Sequence, residues 1–333
     1  MYQLLKKLTP AKPSVSGREG NIKDIISALM APYADEIRTD ALGNLICLKR
    51  GKGASPRRVL LSAHMDEIGF IVNFIEEKGF IRVAPIGGID YTAACGSEVV
   101  FENGTVGVLV CEGDCKKEDA PKAEKCYIDI GARDRKEAAR RVAIGDTCAL
   151  RAHVTRLMGT RVAGRPLDNR AGCAVLLSVA QAMTDPADDI YYVFSVQEEV
   201  GCRGAKPAAF GIAPDLALIF DVTATGDAIG VKRMAVKLGD GAAVKIKDNS
   251  VICDSALVKA LLDAAKKEGI AAQSEILTFG GTDTSSVQMA GLGCRAGALS
   301  IPCRYIHSGV EMIDLKDMEA ACALTVAFLG AGV

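Results

Sequence analysis

The period of the apolar residues changes twice along this chain, and that constrains its fold more than any other property. Up to about Gly69, and again beyond about Arg161, apolar runs of strand length alternate with helical periodicity. Val59 to His64, Ile190 to Val196 and Leu216 to Asp221 read as strands buried on both faces. Ile22, Ile25, Ile26, Leu29 and Met30 predict a helix running to about Tyr33, opened by a capping box with Ser16 as N-cap and Glu19 three residues on. Strands at Glu36 to Asp40 and Leu45 to Lys49 flank the turn at Leu42-Gly43-Asn44, and further helices are expected over Asp168 to Met183, Ala205 to Phe210, Ser255 to Glu268 and Leu315 to Leu329. Between Phe70 and Arg161 the texture differs. Short alternating strands (70–75, 80–85, 97–101, 105–110, 125–130, 147–155) follow one another across Gly87-Gly88, Asn103-Gly104 and Gly145-Asp146, with one short helix at Arg135 to Val142. The expectation is an α/β domain with a mixed, mostly parallel sheet, made of residues 1–69 and 162–333 and interrupted by a β-rich insertion at 70–161.

Bulk properties remove several classes of function. A formal net charge of −1 over 333 residues gives no electrostatic reason to bind nucleic acid or an anionic membrane. No apolar run reaches the ~18 residues of a membrane span, and the start of the chain lacks the apolar stretch of a secretory signal. A cytoplasmic location is therefore expected. The twelve cysteines form no CxxC pair, so they are read as small, reduced core residues; Cys111 and Cys115 are the only two spaced closely enough to suggest coordination. His153, within the β-rich insertion, reads as a surface or structural residue.

The chemistry sits where the buried strands end. His64 closes an apolar strand, and Asp66 follows two residues later, placed to accept the second ring N–H of a metal-bound histidine. Asp168 opens a helix, Glu198 and Glu199 follow the strand 190–196, Asp221 ends the strand 216–220, and His307 follows Leu299 to Ile306. Open α/β sheets place their ligands at the carboxyl ends of strands. Each residue alone has a plain reading: Asp168 as a helix N-cap, the glutamates as a solvated strand end, Asp221 bonded to its own turn, His307 as a core histidine. Two histidines and four acids converging on one sheet edge are explained more economically by a two-metal centre, with one carboxylate bridging and one left free for proton transfer. Side chains of neighbouring residues in an extended segment diverge, so of Glu198 and Glu199 one can ligate and the other act as base. Such donors accept zinc, cobalt or manganese.

Taken together, Ser62-Ala63-His64-Met65-Asp66-Glu67-Ile68-Gly69, Leu167 to Gly172, Gln197-Glu198-Glu199-Val200-Gly201, Asp221, Phe279-Gly280-Gly281-Thr282-Asp283-Thr284 and Ile301 to Ser308 resemble the tetrahedral (TET) aminopeptidases. These are glutamyl-aminopeptidase-like dinuclear zinc exopeptidases. The resemblance spans nearly the whole chain. It implies a zinc-exopeptidase-type sheet with helices on both faces and an inserted β-barrel-like domain. It implies two divalent ions, zinc or cobalt: His64, Asp168 and Asp221 would hold one, and Asp168, Glu199 and His307 the other. It further implies Glu198 as general base, Asp66 as the partner of His64, peptides with a free N-terminus as substrates, and dimers formed through the insertion that build a dodecamer. Asp283 and its neighbour Thr282 are candidates for holding the substrate. One position departs from the family pattern: Thr284 follows Gly-Thr-Asp, where the family has alanine, which bears on specificity more than on catalysis.

The function expected is a metal-dependent aminopeptidase. Two alternatives stand beside it: a metal-dependent deacylase or amidase acting on N-acyl amino acids or small metabolites, and a catalytically silent assembly scaffold, which would lack a ligand or the base. All six positions are filled here.

Overall fold

Four buried strands run parallel through the middle of the molecule, in the order 189–195, 58–64, 216–223 and 295–304. The structure is a computed structural model and describes residues 1–112 and 123–331. Among these, the central strands belong to an 11-stranded mixed sheet whose margins are antiparallel: 45–49 and 36–39 on one side, 311–314, 161–165 and 153–156 on the other. The pair 242–247 and 272–276 attaches to the strand 295–304. Central strands are apolar on both faces because both are covered. Helices 170–182, 255–268 and 315–330 pack over one face around Leu61, Phe194, Phe220 and Leu299, and helices 205–212 and 283–288 cover the other around Leu60, Val193 and Ile219.

Among the described residues, six antiparallel strands, 69–75, 81–86, 126–129, 106–111, 98–101 and 147–150, close into a barrel with Phe70, Phe101, Leu109 and Ile128 in its own core. The short alternating strands close in this way because one face of each is apolar and closure leaves no unpaired edge. The expected single strand 147–155 is two strands. Thr147–Leu150 closes the barrel, and His153–Arg156 already belongs to the large sheet, where His153 is exposed.

Two local expectations are corrected. The capping box at Ser16 does not form: the helix starts at Gly20 with Glu19 as N-cap and no side-chain cap. Ser16 Oγ instead donates to Asp66 Oδ2 at 2.6 Å, and Glu19 Oε1 accepts from the N–H groups of Gly17 and Gln197. Long-range carboxylate and backbone partners outcompete the local cap. The cysteines are not all reduced: Cys95 and Cys111 are joined as a disulfide, with Cα atoms 6.4 Å apart, because the turn after helix 91–94 is brought against strand 106–111. Cys115 lies outside the described residues. No helix among the described residues is long and apolar enough to cross a membrane.

Candidate metal centre

Parallel pairing sets the strand ends level with one another. Ser195 pairs with His64, and Asp221 with Ser300, so the segments that follow open at the same sheet edge. There the backbone leaves the regular regions: Gln197, Tyr305 and His307 adopt φ of 56°, 62° and 64°. Left-handed conformations are uncommon for residues with a Cβ and persist only where the surroundings hold them. Here they turn the chain sharply just past the strands that deliver Glu198, Glu199 and His307.

Asp168 sits at the centre of the arrangement. Its Oδ1 lies 3.1 Å from His64 Nε2, and its Oδ2 lies 3.3 Å from His307 Nε2. Asp221 Oδ1 is 3.4 Å from His64 Nε2, and Glu199 Oε2 is 3.1 Å from His307 Nε2. The five side chains thus fall into two groups that share one carboxylate. Asp168 is not a helix cap: Asn169 caps helix 170–182 through Gly172 N–H, and the Asp168–Asn169 peptide is cis. The backbone N–H groups of Leu167 and Asp168 are held by Glu311 Oε2, and Glu311 lies 3.6 Å from the buried Arg165, which ties Ser308 and Ile68 to the same spot. Glu311 and Arg165 carried no sequence signal, because their distance along the chain hides their proximity.

Asp66 is fully buried beside His64, its Oδ1 3.3 Å from Nδ1, an ion-pair contact rather than a well-formed hydrogen bond. The same carboxylate accepts the Ser16 hydroxyl and the N–H groups of Glu198 and Glu199 at 3.1 and 3.2 Å. One side chain therefore orients both the histidine and the glutamate pair.

The electrostatics call for added positive charge. Burial disfavours a charge on His64, yet Asp221, Asp168 and Asp66 together raise its pKa well above normal. Burial likewise opposes a charge on His307, but Asp168 and Glu199 push it up to about 11. Burial, with Asp168 alongside, pushes Glu199 up to about 7, and Glu199 Oε1 has no partner. Burial also works against ionisation of Asp168, but His307 and His64 hold its pKa far below the usual carboxylate range. The histidines of a metal-free site thus carry protons where a cation would stand. Imidazole nitrogens and carboxylate oxygens at these separations suit zinc or cobalt, so the residues present fit a divalent metal pair.

These groups line a cleft of about 540 Å³. Its other walls are largely apolar, among them Val222, Val231, Met234, Leu277 and Phe279. Lys232 Nζ sits 4.7 Å over the Phe279 ring and, among the described residues, has no ion-pair partner, whereas Arg304 pairs with Asp227 at 2.6 Å. Thr282 lines the cleft and caps helix 283–288. Asp283 is buried beneath it, accepting from Ser195 Oγ at 2.6 Å. Glu198 lines the cleft as well, with Oε2 4.0 Å from His64 Nε2.

Comparison with known proteins gives a consistent picture. The model of the M42 glutamyl aminopeptidase family matches residues 43–324. The chain is similar to the lysyl aminopeptidase of Pyrococcus furiosus, 33% identical over 342 residues that cover 98% of this chain and 96% of that one. Among solved structures it is similar to aminopeptidase APDkam598 of the archaeon Desulfurococcus kamchatkensis, with a TM-score of 0.93 and 35% identity over 98% of this chain and 94% of that one. It is also similar to the TET1 peptidase of Pyrococcus horikoshii, which can assemble into a tetrahedron or a large octahedral shell (TM-score 0.86, 33% identity, 98% of each chain).

Proposed function

The chain belongs to the M42 glutamyl aminopeptidase family, and on that premise we propose that it removes N-terminal residues from peptides with two divalent cations and Glu198 as general base. The observation that carries this reading is the sharing of Asp168 between the two histidine groups. His64, Asp168 and Asp221 would hold one ion, and Asp168, Glu199 and His307 the other. When bound, such a pair lowers the pKa of water and polarises a carbonyl. Of the acids that line the cleft, Glu198 is the one left over by those two sets. Burial raises its pKa well above normal; His64 opposes this, while Asp221, Asp283 and Glu199 add to it. A carboxylate with a raised pKa is a stronger base, able to accept a proton from the attacking water and deliver it to the leaving amine. Asp66 keeps His64 and the backbone of Glu198 and Glu199 in place for that transfer.

The cleft supports an N-terminal side chain that is apolar or acidic, since its walls are apolar and its one unpaired cation among the described residues is Lys232. The barrel at 69–150 would be an inserted unit that mediates self-association, and the likeness to TET1 supports assembly into a closed shell. The test is to strip the enzyme with chelator, restore zinc, cobalt or manganese, and assay amino-acyl anilides with free and with blocked amines. We expect turnover of the free-amine set alone, with leucyl, methionyl and glutamyl substrates ahead of lysyl. Cleavage confined to blocked substrates would sink the reading in favour of a deacylase.

Metal uptake should depend on pH in a defined direction. Without metal His307 keeps its proton below about 11, so an ion binding near neutrality must displace it. His64, raised well above normal, must give up its proton as well, and Glu199, at about 7, adds a further one below neutrality. Apparent affinity therefore rises with pH, about tenfold per unit for each proton displaced, and most steeply below pH ~7. Calorimetry in buffers of different ionisation enthalpy reads the proton release directly. An affinity that stays flat between pH ~6 and ~8 would contradict this.

A further inference from the structure

A second group of metal-binding donors is built on Glu198, and its other two members, Cys202 and Asp283, have no role in the reaction above. One donor atom each from Glu198, Cys202 and Asp283 lies within 4.8 Å of the other two. Cys202 follows one turn after Glu198. Its N–H donates to the Glu198 carbonyl at 2.8 Å, and its thiol donates to Glu198 Oε1 at 3.2 Å. The turn places Cys202 at φ 52°, an uncommon conformation for a residue with a Cβ. Asp283 is 1% exposed; Ser195 serves its Oδ2, and its Oδ1 has no hydrogen-bond partner. Among the described residues the only basic group within ion-pair reach of Glu198 or Asp283 is His64, 4.0 Å from Glu198 Oε2. Two largely buried carboxylates and a thiol thus face one another with an open acceptor, an arrangement that a cation stabilises.

We propose that Glu198, Cys202 and Asp283 form a further metal site, for a thiophilic divalent cation such as excess Zn²⁺ or Cd²⁺, and that filling it switches the enzyme off. A tetrahedral zinc ion with Zn–S of ~2.3 Å and Zn–O of ~2.1 Å sets its ligands ~3.6 Å apart, against donor atoms that lie within 4.8 Å of one another here. On binding, the thiol proton is released to solvent, Sγ becomes a thiolate ligand, and water completes the coordination. No redox change is involved. The effect on rate rests on reading Glu198 as the general base, because the bound ion withdraws the carboxylate that moves protons; the binding itself does not rest on that reading.

The test titrates metal-loaded enzyme with Cd²⁺ and follows three signals: the thiolate-to-cadmium charge-transfer band in the ultraviolet, bound cadmium after desalting, and anilide hydrolysis. We expect one cadmium beyond the resident ions, with the band and the loss of activity sharing a midpoint. Cys202→Ser should lose that band and shift the inhibition midpoint by at least about tenfold. Asp283→Asn, which keeps the thiol, should move both band and inhibition to higher cadmium. Excess Zn²⁺ should inhibit wild type without the band and spare Cys202→Ser. An unchanged band and midpoint in Cys202→Ser would overturn the proposal, as would inhibition of wild type with no added ion bound, which would place cadmium in the resident sites. The band reports the bound ion whether or not Glu198 is the base. Full turnover by Glu198→Gln would therefore overturn the mechanism above and leave the cadmium count to be judged on its own.

Discussion

Glu198→Gln is expected to hold metal at the wild-type level and to lose about 10²–10⁴ in kcat, the range spanned by a single general base. Glutamine is nearly isosteric and still offers the acceptor that Cys202 uses at 3.2 Å. The backbone of residues 198 and 199 is anchored by Asp66 rather than by the Glu198 side chain, so the neighbouring Glu199 stays in position. What the substitution removes is the capacity to accept a proton. The loss should therefore fall on kcat with little change in KM, and the acid limb of the pH profile should disappear with it. Metal analysis of the purified variant beside steady-state kinetics on an amino-acyl anilide decides the matter. Near-normal turnover at full metal content would remove Glu198 from the mechanism.

Asp168→Asn is expected to have the largest effect on the metal centre, because one residue faces both histidine groups, Oδ1 toward His64 and Oδ2 toward His307. An amide offers one oxygen and no charge. Both ions should then be lost together, activity should fall by at least the ~10² of a missing general base, and added zinc should no longer raise the melting temperature. In wild type, zinc at a thousandfold excess over Kd stabilises each site by about 4 kcal/mol. Asp221→Asn and His307→Ala supply the control, since each touches one group only and should cost one ion. Elemental analysis of the three variants reads this directly. Loss of a single ion from Asp168→Asn would show that the carboxylate does not bridge.

Much of the frame was legible because it depends on local periodicity. Apolar runs at 59–64, 190–196 and 216–220 read as strands covered on both sides, and their parallel pairing brings the residues that follow them out at one sheet edge. His64, Glu198, Glu199, Asp221 and His307 are visible for that reason: polar residues that end an apolar run stand out. The closely spaced short strands read over 70–155 announced a β module in the same way, although the last of them divides between the barrel (147–150) and the large sheet (153–156). Where several readings competed for one residue, the sequence misled. Ser16 and Glu19 have capping-box spacing, but the Ser16 hydroxyl goes to the distant Asp66 and Glu19 accepts from Gly17 and the distant Gln197. Cys95 and Cys111 look like ordinary core cysteines until the barrel closes.

Which segments become strands or helices, and which chemistry-bearing residues stand at their ends, is written in the linear order, because hydrophobic period is a property of neighbouring residues. How those residues divide the work follows from strand pairing and packing. The two oxygens of Asp168 face different histidines, Asp66 grips two backbone N–H groups and one imidazole, and Cys202 and Asp283 gather around Glu198. These are relations of a few ångströms between residues as much as 139 positions apart, His307 and Asp168 among them. Such distances arise from strand pairing and helix packing and have no counterpart in the linear order.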